Sequence, residues 1–263
     1  MSEPLDDLAF LTRSPNRVAV IRTLTAGPHS RRELVAESDG SRVTVGRILH
    51  DCEARGWVDS AGTTYELTTR GRLVAQGVET LFDRLAALDR LDPVLPWFAV
   101  DRLDVPVESF VDAEVTVPTG AEPNRHHQRI GTLGTAASTV RMYSQGVTSE
   151  ALGIHLDAVR GGQRLTMLVT ADALDAAREN DQLREGLAAL AETNGFVGRV
   201  SDSLPIPFVG LFDGRCVIGV DDERRRPVGI VESDDEAVVA WAERTLDSLG
   251  SAAVELGPDA FTA

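Results

Sequence analysis

The sequence contains no lysine, and all 26 of its basic residues are arginine. A nucleotide-binding P-loop needs a lysine on the phosphates, and a Schiff-base enzyme needs a lysine amine as its nucleophile. The H-x-K-x4-D centre of phospholipases requires a lysine as well. The missing lysine therefore excludes all three kinds of site.

Cysteine is scarce, and long apolar runs are absent. Cys52 and Cys216 are the only thiols and form no C-x-x-C pair, so we expect neither a disulfide framework nor a cysteine zinc site. No apolar stretch is long enough to cross a bilayer, and the first residues show neither the basic region nor the apolar core of a signal peptide. We therefore expect a cytoplasmic protein with no membrane partner.

Acidic residues outnumber basic ones and are unevenly distributed. The net charge is −15, and an acid-rich, lysine-free surface is typical of proteins kept soluble in concentrated salt, which favours a salt-loving archaeon as the source. Residues 13–72 carry ten arginines against seven acids, a net charge of +3, whereas residues 93–263 carry fourteen against twenty-seven, a net charge of −13. A locally basic segment in an acidic protein predicts a negatively charged partner.

Two domains are predicted, at residues 1–92 and 93–263. The boundary is placed where Pro93 and Pro96 end a long helical pattern. The second domain alternates strand-like and helix-like segments, which is typical of a mixed α/β domain. The predicted fold class is α+β or α/β, with an N-terminal winged helix-turn-helix followed by a mixed α/β sensor-type domain.

Three helices are predicted in the first domain. The first begins at Ser14–Pro15 and stops at Gly27–Pro28, because serine caps a helix, proline suits its first turn and Gly-Pro ends it. Ser30 and Glu33 form a capping box that opens a short helix ending near Asp39–Gly40. The third helix covers 41–55. Helix, turn and helix in this order place the last helix in the major groove of DNA.

The helix at 41–55 has two distinct faces. It is expected to end at Gly56, because glycine adopts the left-handed conformation at the end of a helix more easily than other residues do. Four residues at helical spacing predict the inward face: Val45, Ile48, Leu49 and Cys52. The opposite face carries Val43, Gly46, Arg47, His50 and Ala54. Arginine can read guanine and valine suits the thymine methyl, while glycine lets the backbone approach closely. The alternative interpretation is a solvated face on an ordinary helical bundle.

A small hairpin follows at Trp57–Val58 and Tyr65–Thr68, with Gly62 between its strands. Its tip, residues 60–64, lacks the arginine that wings often place in the minor groove. The candidate DNA-binding residues are Arg31, Arg32, Arg42, Val43, Thr44, Arg47, His50, Arg70 and Arg72. Within that set Val43, Arg47 and His50 are expected to face the groove, with Arg31, Arg32, Arg42, Arg70 and Arg72 as phosphate contacts.

The segments EARGWVD at 53–59 and YELTTRG at 65–71 resemble the winged helices of the MarR/ArsR type. In those proteins the recognition helix ends in arginine-glycine and the wing ends in the pattern Y-x-L-T-x-x-G. The resemblance covers residues 13–75, and it implies a winged helix-turn-helix that binds DNA.

A short heptad-like seam follows the wing, at Val74, Val78, Leu81, Leu85 and Leu88. It predicts a dimerisation helix, and palindromic operators match two-fold proteins, so we expect a homodimer. The helix could instead pack on its own domain. In that case the C-terminal domain would form the dimer interface.

Strands and helices are predicted at intervals in the C-terminal domain. Strands are expected at 113–117, 165–170, 196–200, 207–212, 216–220 and 228–231, and helices from 171, over 182–193 and over 234–249. The segments PNRH at 123, GQRLTMLV at 162, LPIPFVGLFD at 204 and GIVESDDEA at 229 resemble the archaeal methanogenesis and filamentation regulatory family. The resemblance implies a regulator whose C-terminal part senses something or mediates assembly, without naming a ligand.

One polar cluster stands out in this domain, at residues 124–129. Arg125, His126, His127 and Arg129 are candidates for binding a small anionic effector through arginine forks. A metal held by the two histidines is the weaker alternative, because adjacent histidines point apart on a strand and no carboxylate lies in the segment. A solvated loop is the third. No metal site and no cofactor are predicted.

Taken together, the residues predict a sequence-specific transcriptional regulator that binds double-stranded DNA as a homodimer and is modulated through its acidic C-terminal domain. Two other classes stay open: a winged-helix scaffold that binds protein, and an enzyme with a dispersed site in the C-terminal domain. The sequence shows no G-x-S-x-G, no H-E-x-x-H and no glycine-rich phosphate loop, so we expect no enzymatic activity.

Overall fold

The computed structural model describes residues 4–257, which form two compact units that divide between Phe82 and Asp83. The division falls inside one continuous helix, Thr69–Leu91. The domain boundary predicted after residue 92 lies just past the end of that helix.

The first unit is a winged helix-turn-helix. Its elements are α1 Pro4–Thr12, α2 Pro15–Thr25, β1 His29–Ser30, α3 Arg31–Ala36, α4 Arg42–Ala54, β2 Val58–Ala61, β3 Thr64–Leu67 and the start of α5 Thr69–Leu91. The three strands form an antiparallel sheet in the order β1-β3-β2, with Tyr65 opposite both His29 and Ser60. The fold class predicted for this part is confirmed.

Local signals set the ends of these helices. Ser30 and Glu33 form the predicted capping box, with the Ser30 backbone N–H donating to the Glu33 carboxylate at 2.7 Å. Gly56 has the left-handed φ of 66° expected after α4. Ser14 occupies the cap position of α2, but its side chain makes no capping hydrogen bond. Helix α3 ends at Ala36, earlier than predicted, because Glu37 leaves the helical conformation.

Helix α1 is not predicted from the sequence. It is held by distant residues: Phe10 and Leu11 are buried in the core of the first unit, and the Phe10 ring packs edge-on against Trp57 with centroids 5.7 Å apart. The Arg55 guanidinium lies 3.9 Å from the Phe10 centroid and forms an ion pair with Asp7. A cation over an aromatic face adds to the apolar burial.

The second unit is a mixed α/β domain, as predicted. After two turns of 3-10 helix its elements are β4 Glu114–Thr116, α6 Arg125–Ala136, β5 Thr139–Ser144, α7 Ser149–Arg160, β6 Arg164–Thr170, α8 Ala171–Arg178, α9 Asp181–Ala191, β7 Phe196–Ser201, β8 Phe208–Phe212, β9 Arg215–Asp221, β10 Pro227–Ser233, α10 Glu236–Ala252 and β11 Val254–Glu255. The eight strands have the order β11-β7-β6-β5-β8-β9-β10-β4. Neighbours β5, β6 and β7 are parallel, and the other pairs are antiparallel.

The sheet has a hydrophobic core on each face, because alternate side chains of a strand point in opposite directions. On β9, Cys216 and Ile218 belong to one core and Val217 to the other. The predicted turn at Asp213–Gly214 connects β8 to β9 with positive φ at both residues, 47° and 90°. Two positive φ values suit the right-handed twist of a tight hairpin.

Two parts of the second unit differ from prediction. No element is predicted between residues 137 and 161, where the structure has β5 and α7. Residues 125–129, expected as a strand or a loop, form the first turns of α6. Because the segment is helical, the rings of His126 and His127 lie with their centroids 4.0 Å apart, whereas side chains on a strand would point in opposite directions.

Candidate nucleic-acid interface

Helix α4 has the buried and exposed faces that its periodicity predicts. Ser41 caps it, since the Ser41 hydroxyl accepts the backbone N–H of Thr44 at 3.2 Å. The inward residues are buried in the core, namely Val45, Ile48, Leu49 and Cys52. On the opposite face Val43 is 72% exposed, and it is available to an apolar partner.

Five of the predicted contact residues are exposed and have no internal partner. Within residues 4–257 their side chains make no hydrogen bond and no ion pair, so no such partner in this part of the chain competes with an outside ligand. These residues are Arg32, Arg42, Arg47, His50 and Arg70. Arg42, Arg47 and His50 lie on α4, whereas Arg32 and Arg70 are the second residues of α3 and α5.

Thr44 and Arg72 are engaged within the protein. The Thr44 hydroxyl lies 2.9 Å from the Ser41 hydroxyl at the start of α4. Arg72 donates to the Leu67 carbonyl at 2.8 Å and to the Thr69 hydroxyl at 3.0 Å. A phosphate at Arg72 would therefore share the guanidinium with the end of the wing.

Arg31 joins three parts of the winged helix. Its guanidinium donates to the Tyr65 hydroxyl at 2.7 Å, which links the start of α3 to strand β3. The same group lies over Gly46 on α4, where a Cβ would be 3.6 Å from the Arg31 Nη1. The sequence predicts that Gly46 lets DNA approach the helix backbone closely and that Arg31 contacts a phosphate. In the structure the group that closely approaches Gly46 is the Arg31 side chain.

The T-x-x-G part of the wing pattern has a structural cause. The Thr68 hydroxyl donates to the Gly56 carbonyl at 2.7 Å and accepts the Gly71 N–H at 2.9 Å, so it ties the end of α4 to the start of α5. The backbone N–H of Thr68 also donates to the Trp57 carbonyl. A side chain at position 71 would overlap that carbonyl, so only glycine fits there.

The wing itself is short. Gly62 turns it with a positive φ of 67°, and residues 60–63 are exposed. The tip contains no arginine, so the basic groups nearest to it in sequence are Arg55 and Arg70.

The predicted effector residues on α6 do not converge on a shared pocket. Arg129 is already bound, since its Nε and Nη2 donate to the two carboxylate oxygens of Glu232 at 2.8 and 2.7 Å. Arg125 is exposed, with its Nε 3.9 Å from the Glu122 carboxylate.

The two histidines of α6 contact each other, with ring centroids 4.0 Å apart. His126 is buried, and neither ring nitrogen has a partner among residues 4–257. Burial, and then the neighbouring His127, lower the pKa of His126 to about 4. Neutral imidazole could hold a metal, but the described residues contain no group of three His, Cys, Asp or Glu side chains placed to do so.

Both thiols are buried, and burial raises the pKa of Cys52 and of Cys216 to about 12. Each thiol stays protonated and unreactive at neutral pH.

A three-helix core with α4 exposed beside a wing defines the class of winged helix-turn-helix proteins. Residues 5–90 match a family model described as the HVO_A0261 N-terminal domain. Residues 123–251 match the middle domain of the methanogenesis regulatory protein FilR1. These matches confirm the resemblance found in the sequence, and they support a transcription-regulator-like protein.

Solved structures give weaker likenesses. The archaeal chromatin protein TrmBL2, described as showing a novel mode of DNA binding, is 14% identical with a TM-score of 0.43, over 94% of this chain and 97% of that one. The phospholipase D family member Nuc from Salmonella typhimurium is 12% identical with a TM-score of 0.44, over 55% of this chain and 99% of that one. At such TM-scores neither likeness supports an argument about function.

No curated protein matches the chain. Among the described residues, no helix is both long enough and apolar enough to cross a membrane.

Proposed function

We propose that this protein is a sequence-specific DNA-binding transcriptional regulator in which α4 enters the major groove. The observation that carries the proposal is the exposed face of α4, where Val43, Arg47 and His50 stand on a helix whose other face is fixed in the core. The family matches support a DNA-binding regulator in general.

The chemistry of that face suits base edges. A free guanidinium on a rigid helix can donate two parallel hydrogen bonds to guanine O6 and N7, and Val43 can cover a thymine methyl. Arg32, Arg42 and Arg70 flank this face without internal partners and are suited to phosphates. The local charge of +3 in residues 13–72 attracts the duplex, whereas the net charge of −13 in residues 93–263 repels it.

The proposal includes a homodimer. Leu81 and Leu85 on α5 are 39% and 50% exposed, whereas Val74 and Val78 of the same seam pack against the core of the first unit. Part of the seam thus covers the core of its own unit, and the rest is an exposed apolar strip. A palindromic operator is bound by a two-fold symmetric protein, so we assign this strip to a contact with a second copy of the chain. The acidic second unit is proposed to modulate binding, without catalysis.

The test is the substitution Arg47→Ala, with Arg160→Ala as a matched control. Arg160 is also exposed and has no hydrogen-bond or ion-pair partner in the described chain, so both variants lose the same charge. The full-length protein first selects a binding site from a random DNA library, and affinity is then measured by fluorescence anisotropy. Loss of a bidentate base contact weakens binding by about 1 to 3 kcal/mol and relaxes the preference at one base pair.

Arg160→Ala should change affinity little and leave the base preference intact. Equal affinity and equal preference in the two variants would contradict base reading by α4. A protein-binding scaffold or an enzyme would select no DNA sequence in the first step.

A further inference from the structure

The second unit contains a cavity of about 190 Å³ where strands β5 and β9 end and β8 begins. The cavity lies on the face of the sheet to which Ile218 and Val220 of β9 point. Its wall is mainly apolar and includes Trp97, Phe98 and Ile206. A cavity of this size is smaller than the pockets that enclose drug-sized ligands, so its occupant would be a small molecule.

Gln145 is the polar group that is fixed in this wall. Its backbone N–H donates to the Pro207 carbonyl at 2.9 Å, and its Nε2 donates to the carbonyls of Leu204 and Ile206. Because the amide nitrogen is engaged with these carbonyls, the amide oxygen is the atom left to accept a hydrogen bond, and it accepts one from the Arg225 Nη2. Gln145 therefore holds the guanidinium of Arg225 at the cavity.

Arg225 is the cation of the cavity, and most of its donors are unused. Within residues 4–257, the Gln145 oxygen is the one hydrogen-bond partner of its side chain, and no carboxylate forms an ion pair with it. The N–H groups of a guanidinium form a planar fork that matches the two oxygens of a carboxylate. The donors that Gln145 leaves unused are thus available to an anionic ligand.

The loop that carries Arg225 holds it in an unfavourable backbone conformation. Asp222 closes this loop, because its N–H donates to the Arg226 carbonyl and its carbonyl accepts the Arg225 N–H, each at 2.9 Å. Arg225 has a φ of 58°, a left-handed conformation that glycine and asparagine adopt more easily than arginine does. The turn alone favours a different residue, so we attribute the arginine to the contacts of its guanidinium.

Asp222 also lines the cavity, but its charge is already neutralised. Arg226 donates to the Asp222 carboxylate through Nε at 2.8 Å, and the backbone N–H groups of Arg224 and Arg226 donate to it as well. The negative charge of Asp222 is therefore compensated within the loop and does not oppose an anion bound at Arg225.

Asp221 borders the cavity too, but its side chain points away from the apolar wall. It is the last residue of β9 and follows Val220, so the two side chains leave the sheet on opposite faces. Burial raises the pKa of Asp221, and the charges of Arg225 and His127 oppose that effect. The uncompensated charge on the cavity side is thus the single positive charge of Arg225.

The cavity combines this anchored cation with an apolar wall that includes Trp97, which is 42% exposed. We propose that the cavity binds a small monocarboxylate with an apolar body, with its carboxylate at Arg225 and its body against Trp97. The guanidinium supplies paired hydrogen bonds, and covering the indole removes apolar surface from water. A neutral ligand of the same shape would lose the charge-assisted bonds, and a cation would be repelled.

The inference goes beyond the proposed function, because binding is measured on the full chain without DNA. Three probes share a benzene ring and differ in their polar group: benzoate is an anion, benzamide is neutral and benzylamine is a cation. Calorimetric titration at one ionic strength should give saturable benzoate binding at least about tenfold tighter than that of benzamide, with benzylamine the weakest.

Tryptophan fluorescence locates the bound probe. Benzoate should change the emission of the unmodified chain, because Trp97 is exposed whereas Trp57 and Trp241 are buried. The substitution Trp97→Phe keeps an aromatic ring in the wall and should abolish this change.

Arg225→Asn tests the cation, because asparagine tolerates the positive φ and lacks the guanidinium. It should reduce benzoate to the affinity of benzamide. Arg224→Asn is the matched control, since the Arg224 side chain is exposed and makes no hydrogen bond or ion pair in the described chain. It removes the same charge from the same loop and should change benzoate affinity by less than about twofold.

Absence of saturable benzoate binding would overturn the proposal, as would benzamide that binds as tightly as benzoate. Equal losses in folded Arg225→Asn and Arg224→Asn proteins would do the same, because they would show that the charge of the loop attracts the anion without an anchored guanidinium. If Arg225→Asn fails to fold, the ranking of the three probes on the unmodified chain still decides the question.

Discussion

The Arg31 guanidinium donates a hydrogen bond to the Tyr65 hydroxyl across 2.7 Å, thirty-four positions further along the chain. The bond fixes the first residue of α3 to the wing strand β3, and the guanidinium occupies the space that Gly46 leaves on α4. Arg31 therefore holds α3, α4 and the wing in one arrangement.

Tyr65→Phe removes only the acceptor of this bond and should lower the free energy of unfolding by about 1 kcal/mol. Chemical denaturation of Tyr65→Phe, Arg31→Met and the double variant measures the coupling. We expect the two losses to be less than additive by at least about 0.5 kcal/mol. Simple additivity would show that the two side chains do not support each other.

Gly71→Ala and Gly77→Ala place the same methyl group on the same helix with opposite expected results. At position 71 the methyl overlaps the Trp57 carbonyl, so α5 must move away from the wing, and we expect a loss of more than about 3 kcal/mol. At position 77 nothing lies within 4 Å, and alanine should stabilise the helix by about 1 kcal/mol. Thermal unfolding of both proteins checks the pair. Similar melting temperatures would contradict the packing of α5 on Trp57.

Glu232→Gln tests the buried charge cluster on β10. The Glu232 side chain is fully buried and accepts two hydrogen bonds from Arg129, while Arg215 lies 3.7 Å away. Loss of its charge leaves both arginines without their buried partner, and we expect a cost of about 3 kcal/mol. Glu114→Gln is the control, because Glu114 contacts the same arginines but its side chain is 61% exposed, so its removal should cost less than about 1 kcal/mol. Equal costs measured by denaturation would refute the assignment.

His126 gives the protein a pH-dependent stability. Its pKa is about 4 in the folded state and near 6.5 when unfolded, so the unfolded chain takes up the proton first. The contribution is fully present above pH 6.5 and is lost as the pH falls toward 4, by up to about 3 kcal/mol. His126→Phe keeps a ring in the core and removes this titration, so its unfolding free energy should decline less between pH 7 and 4.5.

His127→Phe removes the smaller of the two causes that lower the pKa of His126 and keeps the buried ring, so its decline should lie between those of His126→Phe and of the unmodified chain. His155 is also buried with a lowered pKa, so part of the decline should persist in every variant. A His126→Phe protein whose stability fell as steeply as that of the unmodified chain would rule out His126 as the source.

Local signals predicted much of the winged helix. The Ser30–Glu33 capping box, Gly56 and the period of α4 act over a few residues, so they can be identified in the sequence without knowledge of the fold. Helix α1 could not be predicted this way, because Phe10 depends on Trp57 and Arg55, more than forty positions away.

The same limit applies to the predicted site residues. In the sequence, Arg31 and Arg129 cannot be distinguished from the arginines that have no internal partner. In the structure, Arg31 donates to Tyr65 and Arg129 donates to Glu232, and both partners are distant in the sequence.

A cavity in the second unit escaped prediction for a related reason. Trp97, Gln145 and Asp221 line it, but they are far apart in the sequence and come together only in the folded domain.

The backbone contact between Trp57 and Gly71 has a consequence for how this protein can evolve. Because main-chain atoms set the direction of the wing, the exposed side chains of Ser60, Ala61 and Thr63 take no part in holding it. A substitution to arginine at Ala61 or Thr63 would therefore leave the fold undisturbed, whereas position 62 needs glycine for its positive φ. On the proposed function, such an arginine would offer a minor-groove contact, so a base preference at the wing could be gained or lost by point mutation while the exposed face of α4 stays the same.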